Sequence, residues 1–177
     1  MKNLFLLLLL FVGFGHVAEA QKFGYIDTNY ILSQMPEYKL AQDEIGQLSN
    51  TWQNEIQQLY KEIDAMYSEL QAEEVLLTSE MKAERLAEIK IKEEEVKDYN
   101  NQVFGYEGLF FLKKKELMKP VMESVFEATE KVSKDHRIQI MFDKSADLVM
   151  IYTDPIHDYT DYVLEELGYG DENDTIK

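Results

Sequence analysis

The spacing of apolar and small residues from position 41 onward constrains this 177-residue chain more than any other feature. Ala41, Ile45, Leu48, Trp52, Ile56, Leu59, Ile63, Met66 and Leu70 follow one another at steps of 4, 3, 4, 4, 3, 4, 3 and 4. That alternation keeps one stripe of a helix turned toward a partner helix. The doubled step of four between Leu48 and Ile56 departs from the heptad in the sense that relaxes left-handed supercoiling. A second seam follows through Leu86, Ile89, Val96, Tyr99, Val103, Tyr106, Phe110, Leu117, Val121, Val125, Ala128 and Val132. With only 8 Gly and 3 Pro in the whole chain, few positions can stop a helix. Long helices are predicted, and a compact enzyme with many turns is not.

The two seams form either a helical hairpin or a single helix from Glu37 to about Ser133, which would be nearly 150 Å long at about 1.5 Å per residue. The hairpin is the preferred reading. Its tip is placed at residues 77–80, where the seam fades and Ser79 can cap a new helix carrying Glu80 and Glu84 in its early turns. No Gly or Pro forces the reversal there. The arms would reach about 60 Å. On the return, Gly105 and Gly108 mark either a softened helix or close helix packing. Pro120 predicts a kink where the hairpin meets a body.

Both ends of the chain read differently. Lys2, the apolar run Leu4 to Val12 and the small-x-small sequence Ala18-Glu19-Ala20 have the form of a cleavable signal peptide over residues 1–20, with cleavage after Ala20. That run is too short to span a bilayer, so no integral span is expected after cleavage. Residues 21–36 hold a first strand, Lys22 to Asp27. One or two helical turns over Tyr30 to Met35 come next, then a break at Met35-Pro36-Glu37. Residues 37–119 are the hairpin. Residues 120–168 hold the base of the return helix, then strands Ile138–Phe142 and Leu148–Tyr152 joined by a tight turn. A short helix capped by Asp158 or Thr160 and closed by Gly168 follows. Residues 169–177 read as a frayed acidic tail. Three short strands and a small helix bury too little apolar surface alone. The fold class is therefore α+β: a long antiparallel coiled-coil hairpin projecting from a small β-body that self-association completes.

Composition removes several functions. The chain has no cysteine, which excludes disulfides, thiolate catalysis and Cys-ligated metals. A formal charge of −16 with 34 acidic and 18 basic side chains opposes non-specific binding to nucleic acid or anionic lipid. His136 and His157 are solitary, with no catalytic motif around them, so no enzyme activity is expected. Asp143, Asp147, Asp154, Asp158 and Asp161 lack the EF-hand spacing, and turn formation and helix capping account for them more simply. Nucleotide-binding glycine motifs are absent. No cofactor is expected.

The residues at the two ends resemble those of the Skp/OmpH family of periplasmic chaperones. The similarity is carried by Phe23-Gly24-Tyr25-Ile26-Asp27, Met35-Pro36-Glu37-Tyr38-Lys39, Lys119-Pro120, Phe142-Asp143-Lys144-Ser145, Asp154-Pro155 and Tyr159-Thr160-Asp161-Tyr162-Val163-Leu164. The resemblance implies a homotrimer with a shared β-body and three hairpin tentacles around a cavity. It implies that this cavity holds unfolded outer-membrane proteins without ATP. Well-known members are basic, whereas residues 37–119 here carry 11 basic and 18 acidic side chains and residues 135–177 carry 3 against 11. An electrostatic grip on acidic clients and lipopolysaccharide binding are accordingly not transferred. Apolar contact through flexible Met and amphipathic Tyr side chains fits better. The candidate client contacts, all lying off the seam, are Tyr60, Tyr67, Leu76, Leu77, Met81, Phe104 and Phe111; packing within the hairpin or at its base is the competing explanation for them. A structural coiled-coil spacer of the envelope is the alternative function, and it would not require the strand-forming ends.

Overall fold

The computed structural model describes residues 21–146 and 150–170. The expected signal peptide, the tail from residue 171, and Asp147, Leu148 and Val149 of the expected turn and third strand lie outside the described residues. The chain is mostly helical. Its elements are β1 (Phe23–Ile26), α1 (Thr28–Gln34), α2 (Pro36–Glu73), α3 (Ser79–Phe104), α4 (Leu109–Asp135), β2 (Ile140–Asp143), a 3-10 turn (Pro155–His157) and α5 (Thr160–Leu167).

Local chemistry sets most boundaries. The Asp27 side chain accepts from the Tyr30 N–H at 3.0 Å and starts α1. Pro36 occupies the first turn of α2, where its missing N–H costs nothing. The reversal falls at residues 74–78, slightly ahead of the expected tip. Thr78, not Ser79, is the cap of α3: its hydroxyl accepts from the Met81 N–H at 3.3 Å. Three lateral contacts fix the antiparallel register of the arms. Tyr99 donates to Glu55 at 2.7 Å, Tyr67 donates to Glu93 at 3.0 Å, and Lys82 pairs with Glu74 at 3.3 Å. The single long helix is thereby excluded. Between the arms Ile56, Ile63, Ile89 and Val96 are buried, flanked by Leu59, Met66, Leu70, Tyr99 and Phe104.

The return arm departs from the continuous helix of the second seam. It stops at Phe104 and restarts at Leu109. A β-carbon on Gly105 would collide with the Asn101 carbonyl oxygen, and one on Gly108 would lie 2.6 Å from the Val103 carbonyl oxygen. Both glycines therefore serve an interruption rather than softness or helix packing. Glu107 takes a left-handed φ of 53° within it. Tyr106, assigned to the seam by its spacing, consequently faces solvent at 96% exposure. α4 then runs as one helix through Pro120.

The base gathers residues from both ends of the chain. β1 and β2 pair in parallel, Phe23 opposite Ile140 through Ile26 opposite Asp143. The other edge of β1 receives the Tyr159 N–H on the Tyr25 carbonyl at 2.9 Å. This corrects the expected β2–β3 hairpin: Met150–Tyr152 form no strand, and Ile151 is 97% exposed. β2 also begins two residues later than expected. Arg137 is left-handed with φ 55°, and the Ile138 N–H bonds back to the Ser133 carbonyl at 2.8 Å, so Ile138 closes α4 and is buried. α5 ends as expected at Gly168, φ 83°, with the Tyr169 N–H on the Leu164 carbonyl at 2.8 Å, a Schellman closure. Tyr169 is therefore held rather than frayed, and its hydroxyl donates to Glu37 at 2.6 Å. Ile26, Ile31, Leu32, Met35, Val121, Val125, Val132, Val163 and Leu164 are among the buried residues of the core that results.

Candidate functional site

Among the described residues, the hairpin has several places where side chains lie outside either core. The first is the tip, where α2 ends and no helix covers the turn. Val75 and Leu76 are exposed at 91% and 80%, with Met81 half exposed and Leu77 half buried beside them. The second is the restart of α4 after the glycine interruption, where Phe111 and Leu112 are both about half exposed. Both lie off the seam of the return arm, whose Phe110 and Leu117 are half buried.

The third is an open trough of about 570 Å³ across α2 and α3. Tyr60 and Phe104 lie in it with Ile56 at its floor. Gln53, Asn54 and Gln57 from α2 and Asn100 from α3 complete its walls. Phe104 is anchored by edge-on contact with Trp52 and a tilted contact with Phe110, at centroid distances of 6.4 and 5.8 Å. It is half buried, so packing within the hairpin accounts for much of its surface. Tyr60 has no such anchor and is exposed.

The sequence candidates thus divide. Tyr60 and Phe104 share one trough; Leu76, Leu77 and Met81 share the tip; Tyr67 lines a separate groove with Leu70 and Leu86, and Phe111 stands apart. Tyr67 is exposed, but its hydroxyl donates to Glu93, and this hydrogen bond, with smaller contributions from burial and from the Glu93 charge, raises its pKa above the usual 10.0. The hydrogen bond from Tyr99 to Glu55 acts likewise on Tyr99. Spacing alone missed Val75 and Tyr106, although a residue between two glycines is a poor seam position. It also missed the carboxamides, which carry no hydrophobic period.

The base holds the end motifs in one hydrogen-bonded unit. Asp143 accepts from the Thr28 N–H at 3.2 Å, the Ser145 N–H at 2.9 Å and the Ser145 hydroxyl at 2.7 Å. Burial opposes its charge, but the hydrogen bonds from Ser145 and Thr28 outweigh that and hold its pKa below the usual 3.8. Asp154 accepts from the Ile156 N–H and caps the 3-10 turn; Asp158 accepts from the Thr160 N–H in a turn just ahead of α5, whose N-cap is Tyr159, without a side-chain cap bond, rather than the expected Asp158 or Thr160. The Thr160 hydroxyl in turn accepts from the Asp27 N–H at 3.0 Å. Among the described residues no group of three His, Asp or Glu is placed to hold a metal ion, and no helix is long and apolar enough to cross a membrane.

The arrangement can be set beside known proteins. The family profile described as "Outer membrane protein (OmpH-like)" matches residues 22–167, from the residue before β1 to the end of α5. This chain belongs to the OmpH-like family. Its likeness to other OmpH-like proteins extends to the fold: a crystal structure from Caulobacter crescentus CB15, of a candidate outer membrane chaperone (OmpH-like), superposes with a TM-score of 0.69 over 92% of each chain at 13% identity. An uncharacterized protein of Aquifex aeolicus (strain VF5) is 29% identical over 167 residues, 94% of this chain and 96% of its own. The OmpH-like match includes the base motifs as well as the hairpin, and a hairpin alone would match many coiled coils.

Proposed function

We propose that this OmpH-like chain is an ATP-independent holdase chaperone of the periplasm. It binds unfolded outer-membrane proteins and prevents their aggregation in transit. The observation that carries this reading is the OmpH-like match over both base and hairpin, joined to a hairpin whose tip and trough present apolar side chains outside its own cores. An unfolded barrel exposes strands that pair or collapse with others, and holding one chain apart prevents that encounter. No chemical step is needed.

In this reading residues 1–20 direct export and are removed after Ala20, and the mature chain works as a homotrimer. Tyr60, Tyr67, Leu76, Leu77, Met81, Phe104 and Phe111 contribute weak client contacts. With a formal charge of −16, these contacts are mainly apolar, and such contacts survive salt. The test is light scattering during dilution of a urea-denatured outer-membrane β-barrel, with and without the mature chain, at low and high salt. The expected result is suppression at both salt levels. Unchanged scattering in a molar excess of chains would remove the holdase reading in favour of a structural spacer; suppression lost in salt would restore an electrostatic grip.

A further inference from the structure

The charge of the hairpin is unevenly distributed. Residues 61–98 hold 18 charged side chains among 38, twelve of them acidic. Residues 45–60 hold one, Glu55, and residues 99–106 hold none. These two segments face each other across the hairpin, since Tyr99 donates to Glu55 and Phe104 packs against Trp52. Nine of the 17 Asn and Gln residues of the chain fall within them. The hairpin therefore carries an uncharged, carboxamide-rich collar, and the open trough lies in that collar.

No charged side chain lines the trough. The Gln53 amide is partly engaged, donating to the Ser49 hydroxyl at 3.3 Å. The side chains of Asn54, Gln57 and Asn100 make no hydrogen bond to another described residue. A carboxamide has two donor hydrogens and an acceptor oxygen, the same pair of functions that an extended backbone presents at every residue. A strand outside a sheet has those groups unpaired. Tyr60 and Phe104 supply aromatic faces beside the amides, where an apolar side chain of the same strand can lie. The chemistry matches main chain in extended form together with alternate apolar side chains.

We propose that this trough docks an extended segment of an unfolded polypeptide, with Asn54, Gln57 and Asn100 bonding its backbone and Tyr60 and Phe104 receiving its apolar side chains. The proposal rests on the holdase reading and names what that function recognises. Backbone recognition is blind to client sequence, and an uncharged trough neither attracts nor repels a client by its charge. A strongly acidic chain can thus serve clients of either net charge at this point.

The test uses the mature chain and a short, end-capped, uncharged peptide alternating tyrosine and threonine, compared with the same peptide methylated on alternate backbone nitrogens. Asn54→Ala, Gln57→Ala and Asn100→Ala combined form the variant; alanine at helix positions keeps the hairpin folded, which circular dichroism checks. The expected result is about tenfold weaker binding by the variant, equally weak binding of the methylated peptide by the unsubstituted chain, and no further loss when both changes are combined. Affinity should hold between about 50 and about 500 mM salt. Equal binding of the two peptides by the unsubstituted chain would overturn the proposal, as would unchanged binding by the variant. A shift in oligomeric state on substitution, seen by sedimentation, would also overturn it by assigning the trough to another copy of the chain. Peptide binding as expected without suppression of barrel aggregation would support the trough and defeat the holdase reading; suppression with unaltered peptide binding by the variant would do the reverse.

Discussion

The base and the hairpin bury apolar residues in different ways. The base draws its core from β1, α1, α2, α4, Ile138 and α5, segments from opposite ends of the chain, and ties them with hydrogen bonds such as Thr28 to Asp143 and Asp27 to Thr160. The core between α2 and α3 rests on Ile56, Ile63, Ile89 and Val96 with partly covered neighbours. A base of that kind depends on individual residues; a hairpin of this kind depends on a repeat. Both regions leave apolar side chains outside their cores, Val75 and Leu76 on the hairpin and Phe126, Ile151, Tyr152 and Ile156 at the base.

Substitutions in the two regions sharpen the contrast. The largest effect belongs to Ile31→Ala, because Ile31 is fully buried where several elements meet. It should cost about 4 kcal/mol, read as a fall in the urea midpoint of the whole molecule. Gly24→Val comes next. A β-carbon at Gly24 would lie 2.6 Å from a ring carbon of Tyr159 and 3.0 Å from the Met141 sulfur, and Tyr159 is itself buried, so overpacking should cost about 3 kcal/mol. Either result falling below the hairpin substitutions would break the comparison.

In the hairpin, Ile89→Ala should cost about 2 kcal/mol but act locally. Native-state hydrogen exchange should show α2 and α3 opening about 30-fold more often while the amides of β1 and α5 are unchanged. Uniform acceleration would mean that the two regions unfold as one. The smallest effect is at Asp143, whose pKa lies below its usual value of 3.8. Its ionised form thus stabilises the fold above that unfolded value, and the contribution disappears as the pH falls through the lower folded value. Asp143→Asn should cost about 1 kcal/mol at neutral pH, and the gap from the unsubstituted chain should narrow in acid. A gap constant with pH would remove the role of the charge.

The hairpin was legible in the spacing because helix burial repeats. Every outgoing seam residue from Ala41 to Leu70 is buried or half buried. The return seam fails at Leu86, near the tip, and at Tyr106, where Gly105 ends the helix and cancels the phase on which the spacing relies. Strand content at the base was legible, but its pairing was not. A run such as Ile140-Met141-Phe142 declares a pleated surface without naming its neighbour, and the short turn after it favoured a local partner over the distant β1. Tyr60 and Phe104 could be chosen as off-seam aromatics; their shared trough could not, since it depends on the register that sets Asn100 against Gln53 and Gln57. The charge-free segments that mark it were visible as composition rather than as a period.

Hydrogen exchange of the mature chain, alone and with a urea-unfolded outer-membrane β-barrel diluted into it, tests most directly the claim that the hairpin binds and the base supports. Slowed exchange over residues 53–60 and 100–106, with β1, β2 and α5 unchanged, is the result predicted. Protection confined to the base, or no change in the hairpin while the barrel remains soluble, would contradict it.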